Sequence, residues 1–183
     1  GKSIFTLAMS LVSYAKNLDQ FVIALFPKTI IKNTIGEVVS KMGLKQLRLA
    51  ETEKYAHVTY FFNCGIEQNF QGEDRKLIPS PKVDTYDLQP KMSIGKVRDF
   101  LINSIKSSKY DFIVVNFANP DMVGHTGDLN AAITACEAVD NVLENLIAIV
   151  KKMKANLLVV ADHGNCEEMI NLKTKQPHTA HTL

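Results

Sequence analysis

The most regular pattern in the chain is a run of apolar residues at spacings of three and four between Asp128 and Met153. The apolar positions are Leu129, Ala132, Ile133, Cys136, Val139, Val142, Leu143, Leu146, Ile147 and Val150. This spacing puts them on one face of a helix, and polar residues such as Asp140 and Glu144 lie off that face. The pattern therefore predicts a long amphipathic helix that must pack against another layer of structure.

Short apolar runs lie on both sides of this helix, at Asp111–Phe117 and Asn156–Ala161. Two further strand candidates are Gln46–Ala50 and His57–Phe62, and the latter is rich in aromatic and β-branched residues. Nearly continuous apolar strands are typical of parallel sheets that are buried on both faces. A strand, the helix 128–153 and a second strand would form one βαβ unit. We therefore predict an α/β fold with a mostly parallel sheet flanked by helices.

Two further helices and one long loop complete the predicted outline. Thr29–Met42 reads as a helix that ends at Gly43, and Ser93–Ile105 reads as a helix that begins at a good capping residue. Residues 63–92 hold three of the six prolines and break the helical and strand patterns. We predict a long loop there, and loops of this length are often functional.

Composition excludes several classes of partner. The net charge is +2 and the three arginines are far apart in sequence, so no basic stripe for nucleic acid is present. No stretch approaches the roughly 18 unbroken apolar residues of a membrane span. Cys64, Cys136 and Cys166 form no CxxC pair, which indicates free thiols in a reducing cytoplasm. We expect a cytoplasmic protein that binds neither nucleic acid nor membrane.

The first chemical signal is Asp162-His163, which directly follows the apolar run 156–161. Ligands of open α/β sheets bind beyond the carboxyl ends of the strands. Carboxylate and imidazole together are a usual ligand set for Mn²⁺ or Zn²⁺. In the structural alternative, the aspartate caps a following helix and the histidine bonds the backbone. For this dipeptide alone, the structural alternative is the better supported.

A second Asp-His pair follows the strand candidate 111–117 in the segment NPDMVGHTGD. Asp121 and His125 are four residues apart, but Pro120 and the two glycines of the segment favour a loop over a helix. If the two strands are neighbours, both Asp-His pairs lie on the same edge of the sheet.

A third cluster, PHTAHTL, carries His178 and His181 near the end of the chain. Four of the five histidines therefore fall in three acid- or histidine-rich turns. The fifth, His57, begins a predicted strand, and we interpret it as structural. Three converging turns favour a metal site over isolated structural histidines.

Lys54 lies in a polar turn between two strand candidates. A lysine in such a turn can meet a phosphate as a point charge. The alternative is an ordinary solvated lysine beside Glu51 and Glu53, and the residues alone favour that alternative.

Several segments together resemble one known family. They are LRLAETEKYAHVTYFFNCGIEQNFQGEDR, PSPKVDTYDLQPKMS, NPDMVGHTGD, ADHGNCEEM and HTAHT. They closely resemble the cofactor-independent phosphoglycerate mutases of the alkaline phosphatase superfamily, densely so from Pro27 to Leu183. The resemblance implies a two-metal phosphotransfer enzyme of glycolysis that needs no 2,3-bisphosphoglycerate. Such an enzyme interconverts 3-phosphoglycerate and 2-phosphoglycerate through a phosphoserine, usually with Mn²⁺, although Mg²⁺ or another divalent ion is possible.

The resemblance also assigns roles to particular residues. Asp121, His125 and His181 resemble the ligands of one metal ion. Asp162 and His163 resemble part of the second metal site.

By the same resemblance, Lys54 is similar to the catalytic, substrate-binding lysine that stabilises the transferring phosphoryl group. The family's nucleophilic serine lies in an upstream Gly-Asn-Ser segment, whereas the only Asn-Ser pair here is Asn103-Ser104, inside a predicted helix. The aspartate that completes the second metal site and the inserted domain with its substrate-binding arginines also have no counterpart here. We therefore expect residues 1–183 to be a partial, C-terminal piece of the phosphatase-type metal-binding domain, inactive alone, from a monomeric protein.

Two other functions stay open from the sequence. Another phosphomutase or phosphatase of the superfamily, such as a phosphopentomutase, would use the same metal ligands, although ETEKYAHVTYFFN favours the mutase. A non-catalytic metal-binding module would keep the ligands without the nucleophile.

Overall fold

The computed structural model describes residues 7–13, 17–26 and 31–182, and the chain divides into two compact units, 1–32 and 33–183. In the first unit, strands β1 (Met9–Val12) and β2 (Ile23–Phe26) pair in parallel, with Met9 opposite Ile23. This small unit has its own hydrogen-bonded sheet.

The second unit is built around a three-stranded parallel sheet in the order β4–β3–β5. Its regular elements are α1 (Ile35–Lys41), β3 (Gln46–Glu51), β4 (Glu73–Ile78), α2 (Ile94–Lys106), β5 (Phe112–Val115), α3 (Asn119–Gly124) and α4 (Leu129–Lys152). Short 3₁₀ turns occupy Thr52–Lys54 and Tyr86–Leu88, and a π-helical turn occupies His57–Phe61. The predicted α/β class, a parallel sheet flanked by helices, is confirmed.

The central strand β3 is buried along its whole length, and successive side chains point to opposite faces of the sheet. Leu47 and Leu49 pack into a core formed with α2 and α4. On the other face, the buried side chain of Gln46 donates from Nε2 to the carbonyl oxygen of Gly36 in α1, at 2.8 Å. Helices therefore cover both faces of β3, which explains why its residues are buried on both sides.

The two long helices lie within one residue of their predicted bounds. Asp128 caps α4, since its carboxylate accepts a hydrogen bond from the Ala131 amide at 2.8 Å. The buried residues of α4 include Val142, Leu146 and Val150, as the apolar spacing predicted, whereas Ile133 and Ile147 of the predicted face are exposed. None of the helices within 7–13, 17–26 and 31–182 combines the length and the apolar character needed to cross a bilayer.

Three predicted elements are wrong. Residues 57–62 are helical rather than a strand, and Thr59 Oγ1 donates to the Tyr55 carbonyl at 2.7 Å, as in a helical turn. Helix α1 begins at Ile35 rather than Thr29; Thr29 itself and Ile30 lie outside the described residues. The predicted loop 63–92 contains β4, which pairs with all six residues of β3. Its sequence, EDRKLI, is charged, so hydrophobic pattern alone did not reveal it.

The predicted strand 156–161 is also wrong, because the segment has no regular secondary structure and belongs to no sheet. Leu158 and Val160 are 85% and 78% exposed. An apolar run becomes a strand only when a neighbouring strand satisfies its backbone groups, and within the described residues β5 pairs with β3 alone. The predicted βαβ unit therefore lacks its second strand.

Candidate metal centre

The candidate site lies at the carboxyl ends of two neighbouring parallel strands. Leu49 of β3 is opposite Val115 of β5, so the segments that follow these strands emerge at the same edge of the sheet. The turn after β3 carries Lys54, and the segment after β5 forms α3 with Asp121. This is the edge at which open α/β sheets bind ligands.

Asp121 and His125 are presented by a short helix, so the predicted loop at this segment is wrong. Pro120 lies in the first turn of α3, where a helix tolerates proline because that amide has no intrahelical partner. The backbone N–H of His125 donates to the Asp121 carbonyl at 3.2 Å. The two side chains therefore lie one turn apart on the same face of the helix.

The other histidines are brought in by two segments that pair with each other. The Thr182 amide donates to the Gly164 carbonyl at 3.0 Å, and the His178 amide donates to the Met169 carbonyl at 2.9 Å. A Cβ atom at Gly164 would overlap the Thr182 hydroxyl and the Glu167 carboxylate, so a larger residue here would have to displace these side chains. The pairing sets His163 and His181 side by side, with stacked rings whose centroids are 3.7 Å apart.

Asp121 Oδ1 is the atom on which the imidazoles converge. Its distances to the Nε2 atoms of His181, His125 and His163 are 2.9, 3.1 and 3.6 Å. His125 Nε2 and His181 Nε2 are 3.0 Å apart. Ligand atoms held at about 2.1 Å by one ion are separated by about 3.0–3.4 Å, so these spacings fit a shared metal ion.

The tautomers of two histidines support the same interpretation. His125 Nδ1 lies 2.7 Å from the Thr179 carbonyl oxygen, and His163 Nδ1 lies 3.2 Å from the Gly164 carbonyl oxygen. A carbonyl oxygen only accepts, so each Nδ1 carries the proton and each Nε2 keeps a lone pair. A carbonyl that fixes the tautomer in this way is the usual companion of a metal-bound histidine.

The structure therefore brings together four of the five predicted metal ligands, and Asp121, His163 and His181 offer ligand atoms within 4.8 Å of one another. Asp162 lies at the edge of this cluster of ligand atoms, with Oδ1 3.7 Å from His163 Nε2 and a side chain that is 53% exposed. No helix follows Asp162 in the described residues, so it does not act as a helix cap. The division of these residues between two metal sites stays a prediction.

Lys54 is buried and paired, so the alternative of an ordinary solvated lysine is wrong. Only 5% of the residue is exposed, and Nζ lies 2.5 Å from Asp121 Oδ2. Burial alone would raise the pKa of Asp121, but the hydrogen bond and charge of Lys54, helped by His181 and His125, lower it to about 2. The site therefore holds a permanent carboxylate beside a desolvated ammonium group.

A cleft of about 380 Å³ adjoins these groups. Its polar lining includes Lys54, Asp121, Asp162 and His163, and its apolar lining comes from β5, α4 and residues 157–161. The cleft thus offers a small anionic molecule both a cation and a set of metal ligands.

Sequence reasoning missed three residues near this site. Asn165 is buried and its side-chain Nδ2 lies 3.3 Å from Asp121 Oδ1, and Glu167 accepts a hydrogen bond from the Asn165 amide at 2.6 Å. His57 was interpreted as structural, yet its pKa is lowered by burial and by the charge of Lys54, while Asp162 and Asp121 act on it in the opposite direction. His57 lies in the helical turn that follows Lys54, and it is exposed.

Comparisons with known proteins agree with this geometry. Residues 11–183 match the Metalloenzyme superfamily. The chain is 54% identical over 174 residues to 2,3-bisphosphoglycerate-independent phosphoglycerate mutase of Nitrosococcus oceani, which covers 95% of this chain and 33% of that protein. It is 58% identical over 157 residues to phosphoglycerate mutase 2 of the same type from Methanosarcina barkeri, which covers 86% of this chain and 30% of that protein.

A solved structure is also similar, that of Leishmania mexicana phosphoglycerate mutase at low cobalt concentration. The TM-score is 0.83 and the identity 33%, over 96% of this chain and 34% of that one. The predicted resemblance to cofactor-independent phosphoglycerate mutases is confirmed, and the chain spans about a third of the length of these relatives. With the match covering residues 11–183, the chain belongs to the Metalloenzyme superfamily.

Proposed function

We propose that this chain forms part of a cofactor-independent phosphoglycerate mutase, which interconverts 3-phosphoglycerate and 2-phosphoglycerate in glycolysis without 2,3-bisphosphoglycerate. The observation that carries the proposal is the convergence of Lys54, Asp121 and the imidazoles on one edge of the sheet. Identities of 54% and 58% to proteins of that name support the substrate. The function belongs to the whole protein, because the chain covers only about a third of its relatives.

We assign the metal ligands to two sites. Asp121, His125 and His181 would hold one divalent ion, and Asp162 and His163 would form part of a second site. We propose Mn²⁺ at both, with Mg²⁺ or another divalent ion as the alternative. Bound divalent ions would supply positive charge that stabilises the phosphoryl oxygens during transfer.

Lys54 would stabilise the phosphoryl group as a buried point charge. An ammonium group that has already lost its water interacts more strongly with an oxyanion than a solvated one does. Its short contact with Asp121 fixes the ammonium at the mouth of the cleft. The same lysine thereby binds the substrate phosphate and acts as a catalytic residue.

The serine that carries the phosphate would come from outside these 183 residues. The Asn103-Ser104 pair lies in α2, and Ser104 Oγ donates to the Phe100 carbonyl at 2.8 Å, so this hydroxyl is engaged within its own helix. We propose that residues 1–183 form the partial metal-binding domain and do not interconvert the phosphoglycerates alone. We further propose that the whole protein is cytoplasmic and monomeric.

A coupled enolase assay on the longest protein that the gene encodes tests this function. We expect Mn²⁺-dependent conversion of 3-phosphoglycerate without added 2,3-bisphosphoglycerate, and loss of the activity in Lys54→Ala. The control Lys82→Ala changes an exposed lysine that lines no part of the cleft. A preference for pentose phosphates would identify a different phosphomutase. Conversion of phosphoglycerate by the 183-residue chain alone would contradict the proposal that the nucleophilic serine lies outside these residues.

A further inference from the structure

Asn165 is a buried amide at the junction of two segments that carry metal ligands. The residue is 5% exposed. Its side-chain Nδ2 lies 3.3 Å from Asp121 Oδ1 and 3.4 Å from the Asp121 carbonyl oxygen. Its backbone N–H donates to Glu167 Oε2 at 2.6 Å. Both the amide side chain and the backbone are therefore held by neighbours.

The orientation of the amide follows from the groups around it. Only the NH₂ end of the side chain can donate to the Asp121 carboxylate, because the opposite orientation would place oxygen against oxygen. The Oδ1 atom is buried and accepts no hydrogen bond from the described part of the chain. It lies against Gly124 of α3, where an added Cβ would overlap it. Packing on Gly124 thus holds the NH₂ end towards the carboxylate.

The two oxygens of the Asp121 carboxylate contact different groups. Lys54 holds Oδ2 at 2.5 Å, while the Nε2 atoms of His181 and His125 face Oδ1. If His181 Nε2 bound an ion, it would no longer donate to Oδ1, and without another donor the carboxylate could rotate to bring both oxygens towards the ammonium group. A neutral donor fixes the rotation and leaves a lone pair of Oδ1 for a cation, as supporting groups do for metal-bound carboxylates.

We propose that Asn165 is a positioning residue of the metal centre, which aims Asp121 Oδ1 at the ion without binding the ion itself. The inference rests on the proposed metal centre. The contacts of Asn165 with Gly124 and Asp121 would also hold the segment 162–169 against α3.

The test measures metal affinity rather than catalysis. Free Mn²⁺ is followed by electron paramagnetic resonance in titrations of the 183-residue chain and of Asn165→Ala, with Asn130→Ala as the matched control. Asn130 is an exposed asparagine at the start of α4. We expect a Kd about 10–100-fold larger for Asn165→Ala, the usual loss when a supporting residue is removed, and no change for the control.

A second variant, at Gly124, displaces the Asn165 amide without altering Asn165 itself. Gly124→Ala improves helix propensity but pushes on the Asn165 amide, so it should also weaken Mn²⁺ binding while leaving the metal-free chain folded. The visible absorption of bound Co²⁺ should change in both variants, because the ligand geometry changes. A purely structural asparagine would alter urea stability in EDTA but neither the Kd nor the Co²⁺ spectrum.

The possible results distinguish a failure of the positioning role of Asn165 from a failure of the proposed metal centre. If the unaltered chain binds Mn²⁺ and both variants bind it within threefold of the same Kd, the positioning role is overturned and the centre stands. If Asn165→Ala does not fold, Gly124→Ala decides by the same threshold. If the unaltered chain binds no Mn²⁺, the proposed centre and the role of Asn165 are both overturned.

Discussion

The Lys54–Asp121 ion pair yields the most quantitative prediction. The Lys54 side chain is buried and that of Asp121 is mostly buried, at 6% and 13% exposure, so solvent screens their attraction only in part. Replacing Lys54 by methionine leaves the Asp121 carboxylate in place without its ammonium partner. We expect the metal-free chain to lose stability at pH 7, because an uncompensated buried charge is costly.

The size of the coupling follows from the carboxylate. The pKa of Asp121 falls from 3.8 to about 2, in spite of the opposing effect of burial. Each pKa unit corresponds to about 1.4 kcal/mol, so the surroundings stabilise the ionised form by about 2.5 kcal/mol. Burial opposes this stabilisation and His181 and His125 share in it, so the coupling expected between Lys54 and Asp121 is on the order of 2 kcal/mol.

A double-mutant cycle measures this coupling directly. Lys54→Met, Asp121→Asn and the double variant are unfolded in urea with EDTA at pH 7, and Lys82→Met serves as the exposed control. The folded-state pKa is depressed, so this contribution is complete above the unfolded value of about 4 and is lost as the pH falls towards 2. The coupling should therefore decrease over that window.

A coupling energy below about 0.5 kcal/mol at pH 7 would refute the reasoning, since that is the size of an exposed ion pair. Such a result would mean that the ammonium and the carboxylate do not interact as a buried pair. The role of Lys54 as a pre-desolvated charge would then lose its physical basis.

Three further predictions concern pH, the pairing of the loops and association. Burial raises the pKa of Glu51 from 4.5 to about 7, although hydrogen bonds from the Ser93 backbone act in the opposite direction, so the free energy of unfolding should fall as the pH rises from about 4.5 to 7. Glu51→Gln should therefore be more stable than the unaltered chain at pH 8, by up to about 3 kcal/mol, and equally stable at pH 4. Equal unfolding free energies at pH 8 would contradict this. Gly164→Ala should weaken Mn²⁺ binding about tenfold, because its Cβ must displace the Thr182 side chain, which is next to His181; unchanged binding in a calorimetric titration would count against it. The exposed apolar segment with Leu158 and Val160 should make the chain self-associate, so sedimentation should show species above 20.4 kDa, and a compact monomer at high concentration would contradict this.

Elements with strong periodicity could be predicted from the sequence, and elements defined by their partners could not. Helix α4 has a sustained apolar stripe, and β3 is a short segment with Leu47 and Leu49 on one face, so local pattern suffices. Strand β4 is charged at four of its six positions and exists because β3 pairs with it. Conversely, residues 156–161 have a strand-like composition but no pairing partner in the described part of the chain. Residues 57–62 also have a strand-like composition, but they continue the helical turn that follows Lys54.

The site shows the same division. The sequence predicted Asp121, His125, His163 and His181, because three acid- or histidine-rich turns recur and together resemble the motifs of one family. It could not predict Asn165, since an amide acquires a role only from the atoms it touches. Lys54 looked solvated in its polar turn, and only the parallel pairing of β3 with β5 shows why it meets Asp121.

The most direct test of the central claim is anomalous diffraction at the manganese edge from crystals of this chain grown with Mn²⁺. We predict a peak at about 2.0–2.3 Å from Asp121 Oδ1 and His181 Nε2, with His125 as the third ligand. A saturating Mn²⁺ concentration that leaves no peak among these atoms would contradict a metal centre at this edge of the sheet.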